Sequence, residues 1–389
     1  MRPRSIKLNI PVAICFGMLA IVGIPAPVAA ATSTTPDPFV VNTILSGNSL
    51  HHRFTPSGGS PAMSDPLTKP DDVTMLDGHL FVGFQNGVGP QGEASSDGNL
   101  DSTVVELDAR GRPIGQWDIA GKADGVTADP ALHAVIATVN EDANSSLYTI
   151  TPTAPATTQV VQYRYNEPLP HDGGTDAISV DGGRIFISAS APGTSGPALA
   201  DAPEVYAVRL DASTMEATVT ALFADNAEAR VANRGSTMGQ PVALALTDPD
   251  SSEVVPAGAA RFGGAFVLDS QGDQEQVYVE GAGADGQRLE VLSLSQSVDD
   301  TAWPTRRGGR LFATDATHNA IDVVLGAFTP GQALAVATPC GSNNAPATCP
   351  APGFANNFLA AVNPSTGAIV KVPVTGAAFL PQGGLLYAA

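Results

Sequence analysis

The residues best suited to chemistry are aspartates that recur at one place in a repeated phrase. "DDVTMLDGHLFVGF" begins at Asp71, "DGVTADPALHAVIATV" at Asp124 and "DAISVDGGRIFISAS" at Asp176. Each of these three aspartates stands two residues before an apolar residue, Val73, Val126 or Ile178, that opens a strand-like run. "DDTAWPTRRGGRLFATD" puts Asp299 or Asp300 in the same neighbourhood, whereas phrases starting at Gln240 and Gly376 hold no acid there. If equivalent positions face one another, Asp71, Asp72, Asp124, Asp176 and Asp300 form a ligand-binding ring. Asp71, Asp124 and Asp176 are then its candidate metal ligands. Carboxylates at short range repel, so they bind a cation, share protons or pair with bases. Oxygen-only donors suit a hard ion, Ca2+ or another divalent cation. The competing explanation is that each aspartate caps its own turn by accepting backbone N–H groups.

Three weaker signals accompany the ring. His171, in "LPHDGGTDAISV", lies five residues before Asp176 and is the candidate general base, its alternative being an exposed loop residue. Gly173 and Gly174 beside it would let the backbone pass close to a ligand. Lys69 and Lys122 each precede an aligned aspartate by two residues and are placed to neutralise the ring. "SSDGNLDST" spaces Asp97, Asn99 and Asp101 by twos, a second candidate metal loop, but the glycine such a loop needs at its sixth position is Ser102. No nucleophile elbow, zincin helix, phosphate loop or haem-attachment motif is present, and no organic cofactor is indicated.

The elements that must position these residues come from the repetition itself. The six phrases start at residues 71, 124, 176, 240, 299 and 376. Each opens with two short apolar runs joined by a Gly- or Pro-bearing turn. Further strand-like runs follow, such as "STVVELDARGRPIGQWDI" and "EVYAVRLD". Four short strands in roughly 50 residues, repeated, predict an all-β fold: a six-bladed β-propeller of four-stranded antiparallel blades. Seven blades is the alternative, because the step after residue 299 is long. Two N-terminal runs, "PFVVNTILS" and "SLHHRFTP", are expected to complete the last blade with the C-terminal strands, which hides an open sheet edge. The expected organisation is a signal peptide at 1–30, a disordered linker at 31–37 and one propeller domain at 38–389. A disulfide-closed insertion is expected at about 326–353.

"ADGVTADPALHAVIATVNEDANSSLYTI" and "GGRLFATDATHNAIDVV" resemble the blade phrase of NHL-repeat and SMP-30/gluconolactonase-like six-bladed propellers. The resemblance covers most of residues 70–325 and is one of blade grammar. It implies a divalent cation in the central tunnel, held in the SMP-30-like enzymes by a Glu, two Asn and an Asp. Here Asp71 and Asp72 stand near the place of the glutamate. "ADG" at Ala123–Gly125 replaces the phrase that carries one asparagine.

Composition narrows the setting. Arg2, Arg4 and Lys7 precede an apolar stretch that ends in small residues at "PVAAA". This reads as a secretory signal peptide cut near Ala30 or Ala31. The chain carries a formal charge of −19, and that cut would remove three more positive charges. Such a surface disfavours nucleic acid and anionic lipid, and no later apolar run suits stable membrane insertion. The expected protein is a secreted monomer, a binding or scaffold module for an undefined small molecule or protein. Its alternative is a metal-dependent hydrolase of the lactonase kind.

Cys340 and Cys349 flank a short Gly/Asn/Pro-rich spacer in an exported chain and are expected to be bonded. Mass spectrometry of protein recovered from the exported fraction should find the two thiols joined. Two free thiols there would contradict the bond.

Overall fold

Apolar runs of five or six residues are too short for helices and bury themselves only by pairing. The turns between them enforce this. Asp77 and Gly78 both have positive φ (51° and 82°), as do Gly182 and Gly183 (57° and 81°). That conformation matches the twist of a tight hairpin. The computed structural model describes residues 38–59, 61–170, 173–190, 202–338 and 356–389. The expected signal peptide and linker, His171, Cys340 and Cys349 lie outside the described residues. Among the described residues the helical segments are two 3-10 turns, Gly47–Ser49 and Ala156–Thr158.

The strands form six four-stranded antiparallel units. Sheet 1 is Pro70–Leu76, His79–Phe84, Asp101–Leu107 and Pro113–Ala120. Sheet 2 is Ala123–Asp129, Ala134–Val139, Ser146–Ile150 and Val160–Tyr165. Sheet 3 is Thr175–Asp181, Arg184–Ala189, Pro203–Asp211 and Glu216–Ala224, and its last strand pairs in parallel with the last strand of sheet 2. Sheet 4 is Pro249–Val254, Phe266–Ser270, Glu275–Glu280 and Arg288–Ser293, extended outward by Glu228–Val231 and Pro241–Ala243. Sheet 5 is Val298–Ala302, Ala333–Ala337, Phe358–Val362 and Ile369–Lys371. Sheet 6 is Leu385–Ala388, Arg310–Asp315, Ala320–Leu325 and Phe39–Ser46, with Val374–Gly376 added in parallel.

The first strand named in each sheet is its inner one. Each inner strand packs on the next, from sheet 1 through sheet 6 and back to sheet 1. That closed circuit of sheets is a β-propeller. Six apolar clusters fill the gaps between neighbouring sheets. Leu76, Phe81 and Ile119 of sheet 1 meet Val126, Val135 and Tyr148 of sheet 2. Leu45, Phe312 and Ile321 of sheet 6 meet Val82, Phe84 and Leu107 of sheet 1 and close the ring. Both faces of each sheet are therefore covered. This is why the middle strands read as continuous apolar runs, such as Ala134–Val139, buried at every position.

Three sequence expectations change here. The phrase from Gln240 does not open a unit: Pro241–Ala243 is an outer addition, and the inner strand of sheet 4 is Pro249–Val254. The phrase from Gly376 does not supply an inner strand either, since Val374–Gly376 lies on the outer side of sheet 6 and Leu385–Ala388 is innermost. The phrase from Asp299 is divided between two sheets. Its first strand, Val298–Ala302, belongs to sheet 5, and the segment after Trp303-Pro304 carries the chain into sheet 6 before it returns at Ala333–Ala337. A core strand thus lies within the 326–353 segment. The N-terminal run Phe39–Ser46 joins sheet 6 beside Ala320–Leu325, whereas His51–Phe54 forms a separate hairpin with Met63–Pro66.

Phe39–Ser46 buries Val41 and Leu45 and pairs on both edges. Burying two such side chains stabilises by roughly 1.5–3 kcal/mol each. Deleting residues 38–46 should lower the melting temperature by several degrees and expose the edge of Ala320–Leu325. A truncated chain that melts with the full one would refute this closure.

Candidate metal centre

The aspartates sit where inner strands depart from regular pairing. The ladder skips between Pro70 and Val73, Ala123 and Val126, Thr175 and Ile178, Pro249 and Ser251, and Val298 and Thr301. A bulge of this kind leaves residues unpaired and re-aims their side chains. The residues re-aimed are Asp71, Asp124, Asp176, Asp250 and Asp299, and all five line one axial cavity of about 480 Å³. The sixth inner strand is preceded by Gly383 and Gly384. A Cβ at Gly383 would stand 2.2 Å from the Asp71 carbonyl oxygen, and one at Gly384 would stand 2.5 Å from Asp72 Oδ1. The ring therefore has a carboxylate at five positions and a tight backbone contact at the sixth.

Asp124, Glu141 and Asp176 form one group: each offers an oxygen, and these atoms lie within 4.8 Å of one another. Two oxygens bound at about 2.4 Å to one Ca2+ can stand no more than ~4.8 Å apart, so this spacing fits a shared ion. Asp124 Oδ1 accepts from Gln85 Nε2 at 3.0 Å and from Lys122 Nζ at 2.9 Å. Its Oδ2 is buried and has no hydrogen-bond donor, the kind of orphan a cation satisfies. Glu141 takes the other side of Lys122 Nζ. Lys122 and Glu141 are brought together by Asn140: its amide donates to the Lys122 carbonyl at 2.8 Å, and its Oδ1 accepts the Lys122 amide at 2.9 Å. Gly174 lets the loop carrying Glu141 lie against it, since a Cβ there would fall 1.8 Å from the Glu141 carbonyl oxygen. The glycine beside His171 thus makes room for a protein carbonyl.

Nine carboxyl groups line the cavity, and Lys122 is the one lysine or arginine among its lining residues. Burial dominates their protonation. It pushes Asp124 up to about 7 against the pull of Lys122. Burial, and then the charge of Asp124, hold Asp71 and Asp176 well above the usual carboxylate range. Burial, and then the charge of Asp299, do the same for Asp250. Glu253 is pushed to about 8 by burial and then by Asp72. Burial also pulls on Lys122, but Asp124 and Glu141 outweigh it and hold the ammonium protonated beyond its ordinary range.

The second aspartate of each pair does a different job. Asp72 Oδ1 accepts its neighbour Val73 N at 2.6 Å, and Oδ2 accepts Val126 N of sheet 2 at 2.5 Å. Asp300 repeats this with Thr301 N at 2.6 Å and Leu385 N of sheet 6 at 2.5 Å. Both line the cavity, yet their oxygens are held by backbone donors, so they stitch adjacent inner strands. Asp97, Asn99 and Asp101 stand apart from this centre. Asn99 bonds the Asp101 backbone in both directions, and Asp97 accepts from Ser95. None of the three lines the axial cavity.

Sequence reasoning missed Glu141, Asp250 and Glu253. Glu141 follows the second strand of its unit in "TVNED", a polar end that carried a usable signal. Asp250 was hidden because its bulge is one residue shorter than the others, which breaks the alignment.

No protein-family model and no curated protein matches the sequence. Solved structures resemble it distantly. Hydrazine synthase of Kuenenia stuttgartiensis is 15% identical with a TM-score of 0.39, over 79% of this chain and 66% of that one. This chain therefore spans just under two thirds of that relative's length. A protein named only provisionally as a gluconolactonase is 11% identical with a TM-score of 0.43, over 90% and 85% of the two chains. The β-propeller domain of Cps50 (Swd1) from Myceliophteria thermophila is 14% identical with a TM-score of 0.39, over 89% and 92%. These are distant likenesses, and the propeller assignment rests on this chain's own sheet order.

The buried carboxyls set an unusual pH dependence. Asp72 holds its proton to about 7 when folded against 3.8 otherwise, Glu253 to about 8 against 4.5. The folded state then binds more protons than the unfolded one between those limits, so stability falls as pH rises. The metal-free melting temperature should drop between pH 4 and pH 8. A flat or rising profile would mean these carboxyls are ionised throughout.

Proposed function

We propose that this protein is a binding module whose axial cavity holds a divalent cation, Ca2+ foremost, and through it an oxygen-bearing ligand. The observation that carries this reading is the Asp124–Glu141–Asp176 group with its orphaned Asp124 Oδ2. Three carboxylates supply up to four oxygens that Lys122 does not occupy, a start on the hard, oxygen-rich shell that Ca2+ takes and that water would complete. The acidic chain strengthens the case, because a cleft lined by one sign of charge concentrates counter-ions. With its N-terminal segment read as a leader, the protein would work outside the cytoplasm, where millimolar Ca2+ sites serve.

A second reading, metal-dependent hydrolysis of the lactonase kind, is favoured by one specific feature. Asp250 lines the same cavity, and burial and then the charge of Asp299 hold its carboxyl well above the usual range, which suits a general acid there. Turnover of lactones or esters by calcium-loaded protein, lost in Asp250→Asn, would select it. Calcium binding with no turnover across such a panel would leave the binding module.

The first test is thermal. Calcium at a hundred times its dissociation constant should add about 2.7 kcal/mol to the native state. Asp124→Asn should remove that gain, and Asp97→Asn should keep it. A wild-type melting temperature indifferent to calcium would overturn the cation reading.

A further inference from the structure

Lys122 is an odd neighbour for a cation site. Its ammonium touches two of the three carboxylates, Asp124 and Glu141, and its side chain is 14% exposed. An ion and an ammonium that compete for the same oxygens would exclude one another. Each of the two carboxylates, however, has a second oxygen. Lys122 engages Oδ1 of Asp124, while Oδ2 of the same carboxylate is buried without a donor. Asn140 holds the Lys122 backbone at its N–H and its carbonyl, and the two carboxylates hold the ammonium.

We propose that Lys122 remains in place when the ion binds and sets the valence of the ion the site accepts. This rests on the cation reading above. Ionised Asp124, Glu141 and Asp176 carry three negative charges, and the ammonium reduces this to two. A divalent ion then neutralises these four groups, and a trivalent ion leaves one positive charge without a partner. Uncompensated charge in a buried site is costly, so the tethered lysine discriminates by charge at ligand positions that do not themselves tell such ions apart. Lys122 is thus a specificity residue that acts through the carboxylates it neutralises.

The alternative is that the ion displaces the ammonium into solvent. Removing the lysine would then strengthen binding of every cation by the same factor. Calorimetric titration with calcium chloride and lanthanum chloride separates the two. In Lys122→Met, lanthanum should gain about tenfold or more over calcium, since the freed negative charge attracts the higher valence more strongly. Lys122→Arg should keep the wild-type ratio, and Glu141→Gln, which removes a carboxylate and leaves the lysine, should move the ratio toward calcium. If both ions gain equally in Lys122→Met, or if the ratio fails to fall in Glu141→Gln, the inference is overturned and the cation site stands. If the wild type binds neither ion, the cation reading falls and this inference falls with it. Should Lys122→Met fail to fold by circular dichroism, Lys122→Gln, which also removes the charge, takes its place in the same titration, with the same outcome expected and the same outcome overturning the inference.

Discussion

Bringing six inner strands to one axis forces their bulged aspartates into a space too small to hydrate them fully. That burial of like charge is the constraint on which the rest depends. It is met in two ways. The second aspartate of a pair accepts backbone N–H groups from the neighbouring inner strand, as Asp72 does from Val126 and Asp300 from Leu385. Ring closure and charge burial are then one interaction, because each stitch satisfies a carboxylate and joins two sheets. The first aspartates have fewer such donors. Asp299 accepts Gly383 N, Asp250 accepts Gln271 Nε2, and Asp124 takes Gln85 and Lys122, which still leaves an oxygen bare.

Other stitches reinforce the same joints. Thr138 Oγ1 donates to the Asp176 carbonyl between sheets 2 and 3, and Ser252 Oγ donates to Ser179 Oγ between sheets 4 and 3. Asp269 of sheet 4 accepts from Thr301 of sheet 5. The apolar clusters between sheets supply the bulk of the stabilisation, and these polar contacts fix the register at the axis. A cation at the triad would add to a frame already closed. Metal would therefore tune stability and ligand capture, with the fold able to form without it.

Much of this was legible in the sequence, for stated reasons. Asp71, Asp124 and Asp176 could be aligned because their bulges have equal length and the next apolar residue marks the register. The continuous apolar runs revealed strands covered on both sides. Sheet 4 escaped because its inner strand, "PDSSEV", faces the cavity and is polar, so the more apolar run near Gln240 looked like the better strand. The interlock of sheets 5 and 6 escaped because nothing local distinguishes a turn that returns from one that crosses to the next sheet. The pairing of Lys122 with Glu141 depends on a strand partnership nineteen residues apart, which spacing alone does not reveal. Asp72 and Asp300 each accept two backbone N–H groups at the cavity, a role that their place in the phrase does not announce.

The central claim is that bulged aspartates and Glu141 converge on one cation position at the axis. Crystals soaked in manganese chloride and measured for anomalous scattering test it most directly. The account predicts an anomalous peak within ligand distance of Asp124, Glu141 and Asp176, with Lys122 still on Asp124 Oδ1. Strong peaks elsewhere on the acidic surface and none at that point would contradict it.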